Sequence, residues 1–459
     1  MSDKMTGLKI AYIGGGSRGW AWALMSDLAS EGALGGDVAL YDIDREAASA
    51  NEIIGNRMSA LPEAAGKWKY RASDTLADAL RGADFVIISI LPGTFDEMHS
   101  DVHEPEKYGI YQSVGDTAGP GGLVRALRAI PMFQAIAEAI GEHAPNACVI
   151  NYTNPMAVCL RALYEMFPGI KAFGCCHEVF GTQALLADML CDMLGAEGAT
   201  RGDISINVMG LNHFTWITRA TWKGMDLFPL YRQFVDKYYE SGFMRGGGHW
   251  IYDMFSSANR VKFDLFRRYG HIAAAGDRHL AEFCPPWYLK NPETVRKWMF
   301  GLTTVDWRKE DMQRRLKRSK DLVSGAEEVQ ITHSGEEGVL LMKALLGMGN
   351  VVSNVNLPNR GQIANLPYGT VVETNALFAC GRVTPLLEGD LPAGVLELTV
   401  PHALNQRMIL EAGMHGDYDL AFKAFLNEPL VALLPDEAEK LFKAMLKNTA
   451  RFLRFPLPM

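Results

Sequence analysis

A chain of 459 residues, 48% hydrophobic and 21% charged, has the composition of an ordinary folded protein, and its length predicts two domains or one large two-part unit. A formal net charge of −8 argues against nucleic acid or an anionic membrane as the main partner. There is no apolar run of about eighteen residues, and Met1-Ser2-Asp3-Lys4 does not read as a secretory signal, so the expectation is a cytoplasmic protein with no membrane partner.

The chain opens with Leu8-Lys9-Ile10-Ala11-Tyr12-Ile13-Gly14, a short apolar run ending on glycines, as a buried strand does. Gly14, Gly16 and Gly19 then satisfy G-x-G-x-x-G, with Ser17 between them, and a helix is expected from Trp20 to Ser30. Glycines there permit a tight turn and bring backbone N–H groups close to a pyrophosphate at the positive end of the helix. A structural turn in an unrelated α/β protein would look the same. The next strand, Asp37 to Asp42, adds weight, because Asp42 falls 23 residues past Gly19. A carboxylate at that point hydrogen-bonds an adenosine ribose and repels a 2′-phosphate, which favours NAD over NADP.

Strands are also read at Asp84–Ile90, Ala147–Tyr152 and Lys171–Cys175, with helical spacing between them, as from Val124 to Ile140. The alternation implies a mostly parallel, Rossmann-type sheet covered on both faces. Asn151-Tyr152-Thr153-Asn154-Pro155 follows one strand and puts Asn154 at the sheet edge, although Asn before Pro also makes an ordinary turn. Gly174-Cys175-Cys176-His177-Glu178-Val179 follows the next. Seven scattered cysteines without a secretory signal make free thiols the default, so Cys176 is either core filling or a ligand at the edge where parallel sheets bind ligands.

Near residue 200 the texture changes, which predicts a nucleotide-binding domain over 1–200 and an α+β substrate and oligomerisation domain over 201–459. Ile204–Leu211 and Trp216–Trp222 read as consecutive strands flanking Asn212 and His213. A thiolate from Cys176 and an imidazole from His213 could share a transition metal, leaving positions open for substrate oxygens; alternatively, His213 merely ends a strand. Residues 230–345 are largely helical, with four ionisable groups in Gly276-Asp277-Arg278-His279-Leu280-Ala281-Glu282, which form either a site or a solvated face. A β-rich stretch, 349–372, and helices over 405–425 and 435–452 close the chain.

Taken in order, Gly14-Gly15-Gly16-Ser17, Asp116-Thr117-Ala118-Gly119-Pro120-Gly121-Gly122, Arg125 to Arg128, Asn151 to Pro155, Cys176-His177-Glu178-Val179, Gly210-Leu211-Asn212-His213 and Asn359 to Pro367 resemble the family 4 glycoside hydrolases. The family stands apart from two-carboxylate glycosidases in requiring NAD. The resemblance implies a lactate/malate dehydrogenase-like fold, NAD, and Mn²⁺ or another divalent transition metal. It further implies oxidation at carbon 3 of a sugar, loss of the carbon-2 proton, elimination at carbon 1, addition of water and return of the hydride. Carried over by position, Cys176 and His213 would hold the metal, Asn154 would touch substrate and His177 would be the acid. Asp277 is the expected base, with His279, Tyr269 and Tyr252 as rivals.

The Cys-His-Glu-Val form resembles the α-galacturonidase branch, so a small oligosaccharide or uronide is the expected substrate. Arg278 and Arg360 are then the candidates for its carboxylate, since bidentate arginine suits that group. An α-galactosidase, an α-glucuronidase or a net NAD-dependent sugar or hydroxy-acid dehydrogenase are the alternatives. A homodimer or homotetramer is the assembly that the family implies.

Overall fold

The computed structural model describes residues 4–244 and 250–454. Six parallel strands form the centre: β1 (Met5–Ile13), β2 (Leu34–Tyr41), β3 (Lys67–Ala72), β4 (Phe85–Ile88), β5 (Cys148–Asn151) and β6 (Lys171–Gly174). Their order is β3-β2-β1-β4-β5-β6, so the sheet changes direction between β1 and β4. Loops leaving the two strands there diverge and open a crevice at the carboxyl edge. Ile10 to Ile13 are all buried, as expected of a strand covered on both faces.

β3 escaped the sequence reading. Its Lys-Trp-Lys-Tyr-Arg-Ala alternates exposed with buried residues, and only Trp68 and Tyr70 face the core, as befits an edge strand. The expected boundary at residue 200 is not a break in the sheet. The strands Val351–Pro358, Val371–Ala379 and Arg382–Pro385 extend it antiparallel beyond β6, beginning with the pair Asn356 and Gly174. The β region therefore runs past 372.

The hairpin of β7 (Ile204–Leu211) and β8 (Phe214–Trp222) anchors a smaller second sheet. Its turn is only Asn212 and His213, because Leu211 pairs directly with Phe214. The helix expected over 405–425 is two, Ala393–His415 and Tyr418–Leu426. Gly416 at φ 70 ends the first, and the Asp417 side chain caps the second. Among the described residues no helix is long and apolar enough to cross a membrane.

Candidate active site

The glycine loop leaves β1 at the crevice. Gly14 has φ +88, and a Cβ there would lie 2.0 Å from the Ser89 carbonyl oxygen, so only glycine fits. Gly14 and Gly15 donate their N–H groups to the Tyr41 carbonyl, and Ser17 N–H closes a turn on Gly14 O at 3.0 Å. The helix Trp20–Ser30 begins just after Gly19. Asp42 lies beside the loop, accepting the Gly16 N–H at 2.9 Å and the Asp44 N–H at 2.9 Å. A carboxylate has about four lone-pair positions, so Asp42 fastens the loop and keeps capacity for a hydroxyl. Asn51, which carried no sequence signal, is fully buried and donates to Gly15 O and Ser17 O.

Three segments far apart in the chain converge on one group: the loop before the helix Gly119–His143, the turn after β7 and the short helix Asp277–Glu282. Asp116, His213 and His279 each offer a ligand atom, all within 4.8 Å of one another. Asp116 and His279 were not expected as ligands. His213 sits at φ 66, in the left-handed region where a non-glycine residue costs about 1–3 kcal/mol. Its Nδ1 lies 3.0 Å from Thr117 Oγ1, whose own proton goes to Asp116 Oδ1 at 2.7 Å. With that proton committed, His213 must donate from Nδ1, leaving Nε2 as a free lone pair; the tautomer is assigned from this network. Burial, helped by the adjacent His279, pushes His213 down to about 3, so it is neutral as a ligand requires. Burial opposes ionisation of Asp116, but His279, His213 and Arg125 outweigh it and hold the carboxyl well below the usual range.

Cys176 stands next to this group rather than within it. It is buried, and its thiol meets the Asn212 side chain and the Glu178 backbone N–H. Burial, then Glu373 and Glu178, raises the thiol well above its ordinary value, so a metal taking this ligand displaces a proton. Asn154 follows β5 and precedes a cis bond to Pro155, with its Nδ2 3.4 Å from Asp116 Oδ2 and its carbonyl oxygen held by Arg125 Nε at 3.1 Å. Asn154 Oδ1, Asn212 Oδ1 and His279 Nδ1 are buried without a partner among the described residues, which fits a place meant for a metal ion and sugar hydroxyls.

His177 is half-exposed, with Nδ1 2.9 Å from Glu336 Oε1 and its ring 6.0 Å from that of Trp20. The hydrogen bond to Glu336 raises its pKa against the effect of burial. Glu178 accepts the Gly276 N–H at 2.6 Å and lies 3.8 Å from His279 Nε2. Burial opposes its charge, yet the three neighbouring histidines and that N–H hold it down to about 2.

The geometry does not give Asp277 or Arg360 the roles expected of them, and it ties Arg278 to neighbouring loops while its Nε finds no partner among the described residues. Asp277 is fully buried, and its two oxygens accept the Val261 and Lys262 N–H groups, capping the helix Arg260–Tyr269. A carboxylate so occupied does not reach a substrate proton. Arg278 is buried, donates to Ser113 O and Thr303 Oγ1 and lies over Phe255. It clamps loops. Arg360 lies toward the far edge of the sheet: Val351–Pro358 runs antiparallel to β6 with Asn356 beside Gly174, so residues after 356 lead away from Cys176. Tyr164, which feels the Arg360 charge, is bonded to Ala172 O near the start of β6.

Of the rivals, Tyr269 ends the helix whose start Asp277 caps, and the side chain of Tyr252 lies outside those described. His279 is itself a member of the metal-competent group. The segment Asp277–Glu282 is thus no solvated face. Its short helix sends Asp277 to a helix cap, Arg278 to loops, His279 to the site and Glu282 to the Val114 and Gly115 N–H groups that position Asp116.

A dinucleotide-type sheet with a metal-competent group beyond its carboxyl edge defines a redox-type enzyme scaffold. Lactate dehydrogenase from Eimeria maxima shares the fold alone, with a TM-score of 0.50 at 16% identity over 90% of this chain and 98% of that one. The model of Family 4 glycosyl hydrolase matches residues 9–192, and that of the Family 4 glycosyl hydrolase C-terminal domain matches 208–431. The chain belongs to glycosyl hydrolase family 4.

Four relatives, 54% to 62% identical over 96% to 98% of this chain, bear the name alpha-galacturonidase. The one from Thermoanaerobacterium saccharolyticum is 62% identical over 452 residues, 98% of this chain and 97% of its own length. Relatives named alpha-galactosidase stand at 26% and 27%. The crystal structure of lplD from Bacillus subtilis superposes with a TM-score of 0.93 at 54% identity, covering 96% of this chain and all of that one. A 6-phospho-beta glucosidase from Thermotoga maritima, solved with manganese, NAD+ and glucose-6-phosphate, has the same fold at 22% identity, with a TM-score of 0.77 over 98% of this chain and 100% of its own.

Proposed function

We propose that the protein is an α-galacturonidase that requires NAD and a divalent metal such as Mn²⁺. The observation that carries this reading is the set of near full-length relatives of that name at 54% to 62% identity, together with the intact Cys176-His177-Glu178-Val179 sequence at the site. Gly14, Gly16, Ser17, Gly19 and Asp42 would hold the dinucleotide, and His213, Cys176 and Asp116 the metal. When bound, NAD supplies a hydride acceptor and later donor at carbon 3, and the metal supplies a Lewis acid that acidifies the carbon-2 proton.

The chain's own groups do the rest. Asn154 presents its unpartnered Oδ1 to a sugar hydroxyl. His279, neutral because burial lowers its pKa, offers the unpartnered Nδ1 that can take the carbon-2 proton, in place of Asp277. His177, whose protonated form is favoured by Glu336, hands a proton to the departing glycosidic oxygen, and water then adds at carbon 1.

The test is turnover of p-nitrophenyl α-galacturonide at substoichiometric NAD with Mn²⁺ and a thiol reductant. Many turnovers per NAD without NADH build-up, and greater activity than on α-galactoside or α-glucuronide, are expected. Stoichiometric NADH would mark a net dehydrogenase instead. We further propose cytoplasmic residence and a homodimer or homotetramer, the latter measurable by light scattering.

A further inference from the structure

A cavity of about 520 Å³ adjoins the site, walled by His177, Glu178, Asn259, Lys262 and the turn Ser334–Glu336. Its one lysine or arginine is Lys262, which is 2% exposed. A buried ammonium normally stands opposite a carboxylate, because removing an unpaired charge from water is strongly unfavourable. Lys262 forms no ion pair among the described residues, and its Nζ has one hydrogen bond, to Thr182 Oγ1 at 2.8 Å. Asp277 feels its charge, but both oxygens of that carboxylate are occupied by the N–H groups of the helix. An ammonium has three donors, so two are left without a partner among the described residues.

The other charges around the cavity are already engaged. Glu178 is held by Gly276 N–H and lies near His279, and Glu336 pairs with His177. Thr182 lies four residues after Glu178 on the helix Glu178–Leu194, so both face the same side of it. That spacing puts the ammonium one helical turn from the Cys-His-Glu-Val sequence.

We infer that Lys262, aimed by Thr182, binds the carboxylate of the uronide substrate and is the residue that selects a galacturonide over a galactoside. The inference rests on the α-galacturonidase reading and names the one lysine or arginine that lines this cavity. An incoming carboxylate fills the two open donors and neutralises a buried charge, whereas the neutral hydroxymethyl group of a galactoside leaves the cation unpaired. Burial lowers Lys262 only to about 8, so it remains cationic at neutral pH.

The experiment compares the full chain with its Lys262→Met variant. Calorimetry measures binding of galacturonate and of galactose, and kcat/KM is measured on the two p-nitrophenyl glycosides with NAD and Mn²⁺. Galacturonate affinity and galacturonide kcat/KM should each fall about a hundredfold more than the galactose and galactoside values. Equal losses on both sugars, or undiminished galacturonate binding, would overturn the inference. Thr182→Val keeps the charge and removes only the aiming hydroxyl. It should show the same bias at about tenfold, and it carries the test if Lys262→Met fails to fold. A wild-type chain that binds galacturonate through Lys262 yet cleaves no galacturonide would leave the anion site standing and remove the proposed activity.

Discussion

His177 Nδ1 lies 2.9 Å from Glu336 Oε1, joining the turn after β6 to a segment 159 residues further along the chain. The pair favours the protonated form of this imidazole. Its pKa is raised above 6.5 chiefly by that hydrogen bond, so the acid form dominates below the raised value and is lost as pH rises through it. Activity should fall along an alkaline limb set by His177, and Glu336→Gln should move that limb to lower pH. An unmoved limb in a kcat/KM profile would remove His177 as the acid. Any stability the pair contributes follows the same sign, full below about 6.5 and lost above the folded value.

Asp277 and His279 differ in what they have free. Asp277→Asn retains one oxygen for the helix cap and cannot act as a base, so the variant should keep most of its kcat. Loss of about a thousandfold with an unchanged melting temperature would reinstate Asp277 as the base. His279→Asn should stop solvent deuterium from entering carbon 2 while Mn²⁺ binding, followed by paramagnetic resonance, persists. Loss of Mn²⁺ binding would make His279 a ligand instead.

His213 combines a ligand position with a left-handed backbone. Both His213→Gly and His213→Ala should abolish metal-dependent turnover. The glycine variant should nevertheless be the more stable by about 1 kcal/mol in denaturant titration, because glycine adopts φ 66 without steric cost. Equal stabilities would mean that the turn stores no strain.

Gly14→Ala would force a methyl group to within 2.0 Å of the Ser89 carbonyl at a φ of +88. Backbone cannot yield as a flexible side chain does, so β1 and β4 must part. NAD affinity should fall by at least tenfold and stability by roughly 1–3 kcal/mol. Removing the metal with a chelator should abolish turnover, and adding Mn²⁺ should restore it.

Much of the scaffold follows from local pattern. The apolar run into Gly14-Gly15-Gly16, the placing of Asp42 and the turns at Asn154, Cys176 and His213 can all be read in the sequence, because strand burial and turn chemistry depend on near neighbours. β3 was missed because its alternating Lys-Trp-Lys-Tyr has no continuous apolar run, and Asn51 because an asparagine inside a helix carries no sign of the loop it fastens.

The sequence by itself determined the chemistry on offer: a dinucleotide loop, a thiol, two histidines and an asparagine at strand ends. Tertiary structure decided which groups share a site. Asp116, His213 and His279 come from three separate segments, and their approach depends on packing across the chain. It also turned Asp277 inward to a helix, sent Arg360 toward the far sheet edge and left Lys262 facing the cavity. A side chain's type is local, but its direction and the charges that surround it are set by contacts between residues far apart in the chain.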